Sequence, residues 1–195
     1  SIGLVGSEMC IRDRPASVSV ISARKIANSS EAIDPIRHLM NVPGVTVANY
    51  TANSMNIEMR SGNGLLGTAV LPLLDYRVIS TPAARSNFSY QYGLSNLDLE
   101  RIEVIRGTNS ALYGPGVEGG VVHFITKKAI DHPGTSAELY TGDLRSRGLA
   151  VRHAHANESK TFGYKINVKY NEGADFGLDP IEDAERIISF YTRIV

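Results

Sequence analysis

The sequence predicts an α+β unit of short strands and short helices over roughly its first two-thirds, followed by antiparallel strands. Three observations carry this. Between Ala16 and Lys128, β-branched runs such as "VTVANY" and "GGVVHFITKK" alternate with short helical stretches and glycine-rich loops. Four glycines, Gly114, Gly116, Gly119 and Gly120, crowd into the seven residues that lead into the second of those runs. After Asp131 the texture changes to alternating segments separated by polar, turn-rich pieces.

The elements follow in order. "ASVSVIS" alternates Val18 and Val20 against Ser17 and Ser19 and reads as a strand, and "SARKIANSS" as a helical turn capped by Ser22. In "DPIRHLMNVPG", Asp34 suits the N-cap and Pro35 the first helical position. Ile36, Leu39 and Met40 share one α-helical face, and Pro43-Gly44 ends the helix. "VTVANY" and "NIEMRS" are strands, "SGNGLLG" is a loop, and "AVLPLLDYRVIS" gives two strands about a turn near Asp75. Residues 81–95 form a long loop. Asn96 caps a helical "LDLERI", "EVIRG" is a strand ending at Gly107, and "TNSALYG" is one helical turn. Beyond Asp131, "SAELYTG", "LAVRHAHA" and "YKINVKY" alternate, the last strictly: Tyr164, Ile166, Val168 and Tyr170 against Lys165, Asn167 and Lys169. Such segments mark a transmembrane β-barrel or an antiparallel meander in a soluble protein.

Composition excludes some classes. Lysine plus arginine and aspartate plus glutamate number 20 each, so no net field favours nucleic acid. The single cysteine, Cys10, allows no intrachain disulfide. No run of 18 apolar residues is present, so no helix spans a membrane. "GLVGSEMCIRDR" (Gly3–Arg14) resembles translated adaptor sequence from environmental reads, and residues 1–15 are set aside as a non-native leader.

Gly114 to Gly119 spells G-x-G-x-x-G. A dinucleotide loop needs a strand before the glycines and a helix after them, because the helix N-terminus holds the pyrophosphate. Here "VVHFIT" follows, which is strand material. A nucleotide-binding enzyme is therefore a minor alternative, beside a soluble β-rich binding module. No G-x-S-x-G, Walker A or H-E-x-x-H motif is present, so no enzyme is expected, and no cofactor. His153 and His155 share one strand face but have no third ligand nearby, so no metal is assigned.

The order of the pieces resembles the plug domain of TonB-dependent outer-membrane receptors. "LMNVPGVTV" resembles its Leu-x-x-x-Pro-Gly-Val segment, "NIEMRSG" its Ile-x-Ile-Arg-Gly strand and "VLPLLDYRV" its strand ending in Asp-Gly. "LDLERIEVIRGTNSALYGPGVEGGVVHFITKK" resembles the family's Ile-Glu-Val-x-Arg-Gly-Pro-x-Ser-x-Leu-Tyr-Gly…Gly-Gly-Val-Ile-Asn-Ile-x-Thr-Lys. Three departures stand out. Tyr76 replaces the glycine after the aspartate and, disliking positive φ, implies a different turn type. Ser61 separates Arg60 from Gly62, and Thr108 replaces proline.

The resemblance implies a plug domain with a small mixed sheet over residues 16–130, then the incomplete start of a transmembrane β-barrel over 131–195. A barrel of this family has roughly 22 strands, and the 64 residues after Asp131 hold three or four. Implied function is active uptake of a scarce nutrient across the outer membrane of a Gram-negative bacterium, with a ferric siderophore favoured and cobalamin, haem or oligosaccharide as alternatives. Implied partners are the nutrient, such as a metal chelate, the outer-membrane lipid, and the energy-transducing TonB complex, reached by strand addition to a segment before Ala16. Arg60 and Arg106 match strand-end arginines that latch plug to barrel carboxylates. The alternative is satisfaction within the plug by Glu58, Glu103 or Asp75. Ligand contacts fall on apical loops, with Tyr50, Asn53, Asn63, Arg85, Phe88, Tyr90 and Tyr92 as candidates. Gly107, Gly114, Gly116, Gly119 and Gly120 are structural.

Overall fold

The strand that follows the glycines, Gly120–Thr126, is buried at every residue, and the first layer of the molecule is built around it. The computed structural model describes residues 17–29, 34–51, 54–59, 69–80, 89, 92–107, 113, 117–142, 146–174 and 184–194. Its elements are β1 (Ser17–Ser22), α1 (Ala23–Ala27), a 3-10 helix (Pro35–Asn41), β2 (Val45–Thr51), β3 (Ser54–Met59), β4 (Val70–Leu74), β5 (Arg77–Val78), a short 3-10 turn (Asn96–Asp98), β6 (Leu99–Arg106), β7 (Gly120–Thr126), β8 (Gly134–Thr141), β9 (Arg147–Ala156), β10 (Gly163–Ala174) and β11 (Ala184–Ile194).

Five strands form a mixed sheet in the order β1-β6-β7-β4-β5, in which only β4 and β7 run parallel. Alternation sends β7 side chains to opposite faces. Val122 and Phe124 join Ile102, Val104 and Leu74 in the larger core, under Ile26, Ile36 and Leu39 of the helices and Met55, Ile57 and Met59 of β3. Val121 packs with Ile105, Leu73 and Val117 on the other face. Apolar residues on both faces explain why the sequence reads as a continuous β-branched run.

The stretch after Asp34 is a 3-10 helix, and Asp34 accepts a hydrogen bond from the Ile36 N–H at 3.1 Å, as a cap should. With three residues per turn, Ile36 and Leu39 eclipse and are fully buried, whereas Met40 rotates outward to 49% exposure. The expected α-helical face therefore loses Met40. "LDLERI" is not helical beyond Asp98: β6 begins at Leu99 because Leu99 and Arg101 pair with Thr126 and Ile125 of β7. Tertiary pairing outweighs local propensity here.

Two glycines admit the close approach of separate strands. A Cβ on Gly119 would lie 2.8 Å from the Met59 carbonyl oxygen, and one on Gly120 2.7 Å from Met59 Sδ. The Gly107 N–H donates to Gly119 O and the Gly119 N–H to Ala69 O, which locks the entry to β7 between β6 and β4. Gly107 itself has φ +111°. A strand, not a helix, follows the G-x-G-x-x-G stretch. Gly114 and Gly116 lie outside the described residues.

The turn at Asp75-Tyr76 corrects an expectation. Both residues have positive φ, +45° and +68°, in a two-residue hairpin joining Leu74 to Arg77. That is the glycine-favouring backbone, kept despite the tyrosine side chain.

The second sheet is antiparallel in the order β11-β10-β9-β8 and does not close, with β8 and β11 as its edges. Lys165, Asn167 and Lys169 are buried at 0%, 3% and 9% exposure, while Ile166 between them is 42% exposed. The strict alternation read from the sequence is therefore real, and the polar set faces the first sheet.

Candidate functional site: the contact between the two sheets

Lys165 projects from β10 toward the 3-10 turn before β6. Its Nζ donates to Asp98 Oδ2 at 2.7 Å, Thr126 Oγ1 at 2.6 Å and the Lys127 carbonyl oxygen at 2.9 Å. All three ammonium donors are thus used, which is what makes burial of this charge tolerable. Arg152 of β9 donates from Nε to Asp98 Oδ1 at 2.8 Å and from Nη1 to His132 O at 2.9 Å. Asp98, 2% exposed, thus receives two cations, one on each oxygen.

A second carboxylate extends the contact. Asp75 accepts the Thr126 N–H on Oδ1 at 2.9 Å and the Thr126 hydroxyl on Oδ2 at 2.6 Å. Arg193 of β11 donates from Nη1 to the same Oδ2 at 2.6 Å. Burial works to raise the Asp75 carboxyl, but the two Thr126 hydrogen bonds and the charges of Arg193 and Lys165 outweigh it and hold it below its ordinary value. The result is a continuous polar chain, Arg193–Asp75–Thr126–Lys165–Asp98–Arg152. It crosses between the sheets at Arg193–Asp75, at Lys165 and at Asp98–Arg152.

Arg106 behaves otherwise. Its guanidinium donates to Ser17 Oγ at 3.1 and 2.7 Å, to Ser19 Oγ at 2.9 Å and to the Pro43 carbonyl oxygen at 2.6 Å. It is satisfied within its own domain, but by neutral oxygens rather than by Glu58, Glu103 or Asp75. Glu103 is engaged by Arg101 at 2.7 Å. Arg60 lies outside the described residues.

Of the expected ligand contacts, Asn53, Asn63, Arg85, Phe88 and Tyr90 lie outside the described residues. Tyr50 sits where the β2–β3 ladder slips, between Asn49 and Thr51. Tyr92 does not belong with them. It is 4% exposed within the main core, its ring centroid 6.0 Å from that of Phe124. Its place at the end of the long loop made it look apical, and packing under the sheet withdraws it. His153 and His155 are on the exposed side of β9, each with its ring 5.9 Å from that of Tyr164. Among the described residues, no group of three metal-ligating side chains forms.

Sequence reasoning places Asp98 in a helical turn and Asp75 in a turn, as the structure does, and missed the network because their partners lie 67 and 118 residues away. The signal was present in Lys165: an inward lysine on a half-buried strand demands an acid opposite.

The comparisons agree with this architecture. A family model described as TonB-dependent Receptor Plug Domain matches residues 11–121, and the chain belongs to that family. The hemin receptor of Yersinia enterocolitica is 30% identical over 189 residues, covering 96% of this chain and 24% of the receptor. The ferric enterobactin receptor of Pseudomonas aeruginosa is 34% identical over 175 residues, covering 82% and 22%. The chain thus spans about a quarter of the length of these relatives. Among solved structures, the alcaligin outer-membrane receptor FauA of Bordetella pertussis superposes with TM-score 0.67 at 18% identity, covering 94% of this chain and 29% of that one. The siderophore receptor PirA of Acinetobacter baumannii gives 0.61 at 24% identity, covering 81% and 25%. These two likenesses show the fold: a plug with its mixed sheet, followed by the first antiparallel strands of a barrel.

Proposed function

We propose that this chain is the plug and first wall strands of an outer-membrane receptor that takes up an iron chelate in a Gram-negative bacterium. A ferric siderophore is the favoured cargo and haem the alternative. The division falls near residue 130, between β7 and β8. The observation that carries this reading is the ion-pair network joining plug carboxylates Asp75 and Asp98 to the buried wall cations Arg152 and Lys165 and the half-exposed Arg193. A domain that must fill a lumen, hold and then move needs contacts that are directional and polar rather than a fused apolar core. Relatives named for hemin and ferric enterobactin favour an iron-bearing cargo.

In this reading Tyr164, Ile166, Val168 and Tyr170 face lipid. Tyr50, near the end of β2, and Asn53, Asn63, Arg85, Phe88 and Tyr90 meet the ligand. The TonB complex engages a segment before Ala16 and supplies the force. Arg60 and Arg106 remain candidates for wall carboxylates beyond these four strands. For Arg106 that contact would exchange its bonds to Ser17, Ser19 and Pro43 for a charged one.

The test is uptake of radiolabelled iron by a receptor-deficient strain carrying the full-length gene, with ferric siderophores and haem supplied separately. Energy-dependent uptake of one chelate is expected. Uptake of neither, in cells where the receptor reaches the outer membrane, overturns the assignment of cargo.

A further inference from the structure

Two residues that depart from the family pattern quoted above touch each other. Tyr76 stands at the glycine of Asp-Gly, and His123 stands at the asparagine of Val-Ile-Asn-Ile. The Tyr76 N–H donates to His123 Nε2 at 3.1 Å, and the two rings meet edge to face with centroids 4.4 Å apart. His123 is 4% exposed. To accept that bond, Nε2 must be unprotonated, so the ring proton sits on Nδ1, which faces Glu103 Oε2 at 3.7 Å. Glu103 is in turn paired with Arg101. The groups around the imidazole are therefore Glu103 and Arg101 from β6, Tyr76 from the turn, and the apolar Leu73 of β4 opposite it in register.

We propose that His123 is a positioning residue for the plug–wall contact: its Nε2 acceptor holds the Asp75-Tyr76 turn in its left-handed form and so aims Asp75 at Arg193. A side chain without an acceptor at this place leaves the Tyr76 N–H without this partner. The turn then loses a bond that offsets its unfavourable backbone, φ +45° and +68°. Asp75 rides on the same turn and carries the Arg193 contact at 2.6 Å.

The plug–wall contact does not depend on which cargo is carried, so the readout is structural. The 195-residue chain, folded in detergent micelles, is compared by NMR with its His123→Asn and His123→Phe variants at one pH. Nitrogen-15 shifts in the parent chain should place the ring proton on Nδ1 and leave Nε2 bare. In His123→Asn, whose amide oxygen can still accept, exchange of the Tyr76 amide and of the Arg193 guanidinium should stay slow. In His123→Phe, that exchange should be about tenfold faster, with the β6–β7 amides unchanged as a control for folding. A proton on Nε2, equal exchange in the parent chain and His123→Phe, or fast exchange in His123→Asn would overturn the proposal.

Discussion

Lys165 Nζ lies 2.7 Å from Asp98 Oδ2, joining a wall strand to the turn that opens β6. The lysine is fully buried and the aspartate nearly so, at 0% and 3% side-chain exposure. Desolvating both charges is costly, and the cost is offset only while the geometry is kept and the remaining donors and acceptors are filled. The same relation holds at Arg152, which shares the carboxylate. The plug is thus fastened to this part of the wall by its own acids and the wall's bases. That polarity is opposite to the one expected for Arg60 and Arg106.

Removing the shared acid should be severe. Asp98→Asn leaves Lys165 and Arg152 buried without the carboxylate they share, and a loss of about 3–5 kcal/mol is expected. Chemical denaturation of the folded chain in micelles reads this out. A change under about 1 kcal/mol, the range of exposed ion pairs, would mean that the site is wet.

Acid should weaken the Asp75 contact in a defined window. The folded carboxyl lies below its ordinary value of 3.8. Its contribution is therefore fully present above that value and is lost as pH falls through the lowered folded one. In a denaturation series, Asp75→Asn should flatten the acid limb below about pH 4 and leave the slope nearer neutrality unchanged. An unchanged acid limb would remove Asp75 from the contact.

The Tyr76 backbone should accept glycine readily. At φ +68° the tyrosine is strained, and the residue is 76% exposed, so the edge-to-face contact with His123 is the main packing lost. Tyr76→Gly should be neutral or raise stability by about 1 kcal/mol, and the β-branched Tyr76→Val should lower it by a similar amount or more. Denaturation midpoints measured side by side decide it, and equal values for the two variants would deny the strained turn.

Crowding at the entry to β7 predicts a graded series. Gly119→Ala pushes a methyl toward the Met59 and Ala69 carbonyl oxygens, and Gly120→Ala toward the Ile105 carbonyl oxygen and Met59 Sδ. Each should cost about 1–3 kcal/mol through forced backbone shifts. Gly142→Ala, whose added carbon would meet the Ser146 Cβ at an ordinary 3.7 Å, serves as the comparison for crowding. Equal effects at Gly119 and Gly142 would show that space at Gly119 does not matter.

Much of the fold was legible because its signals are local. β7 announces itself by Val121, Val122 and Ile125 after the glycines, β10 by strict alternation, and the 3-10 helix by Asp34 and Pro35. What was not legible depends on partners distant in the chain. Asp98 and Lys165 are 67 residues apart, and Asp75 and Arg193 are 118 apart. No spacing rule joins such pairs; only the stacking of wall on plug does. The start of β6 was misread for the same reason, since "LDLERI" has helical spacing and only its neighbours β1 and β7 make it a strand. Tyr92 shows the converse error: an aromatic in a polar loop looks available until the core is seen to claim it.

The fastening of plug to wall is tested most directly by a double-mutant cycle between Asp98 and Lys165. Asp98→Asn, Lys165→Met and the double variant are denatured in micelles under one set of conditions. Each single change strands a buried partner, and the double change removes the Asp98–Lys165 pair while leaving Arg152 as stranded as Asp98→Asn does, so the two effects should be strongly non-additive. A coupling of about 2 kcal/mol or more is expected, with the double variant more stable than the sum of single losses allows. Simple additivity, within about 0.5 kcal/mol, would contradict the contact and with it the account of how this plug is held.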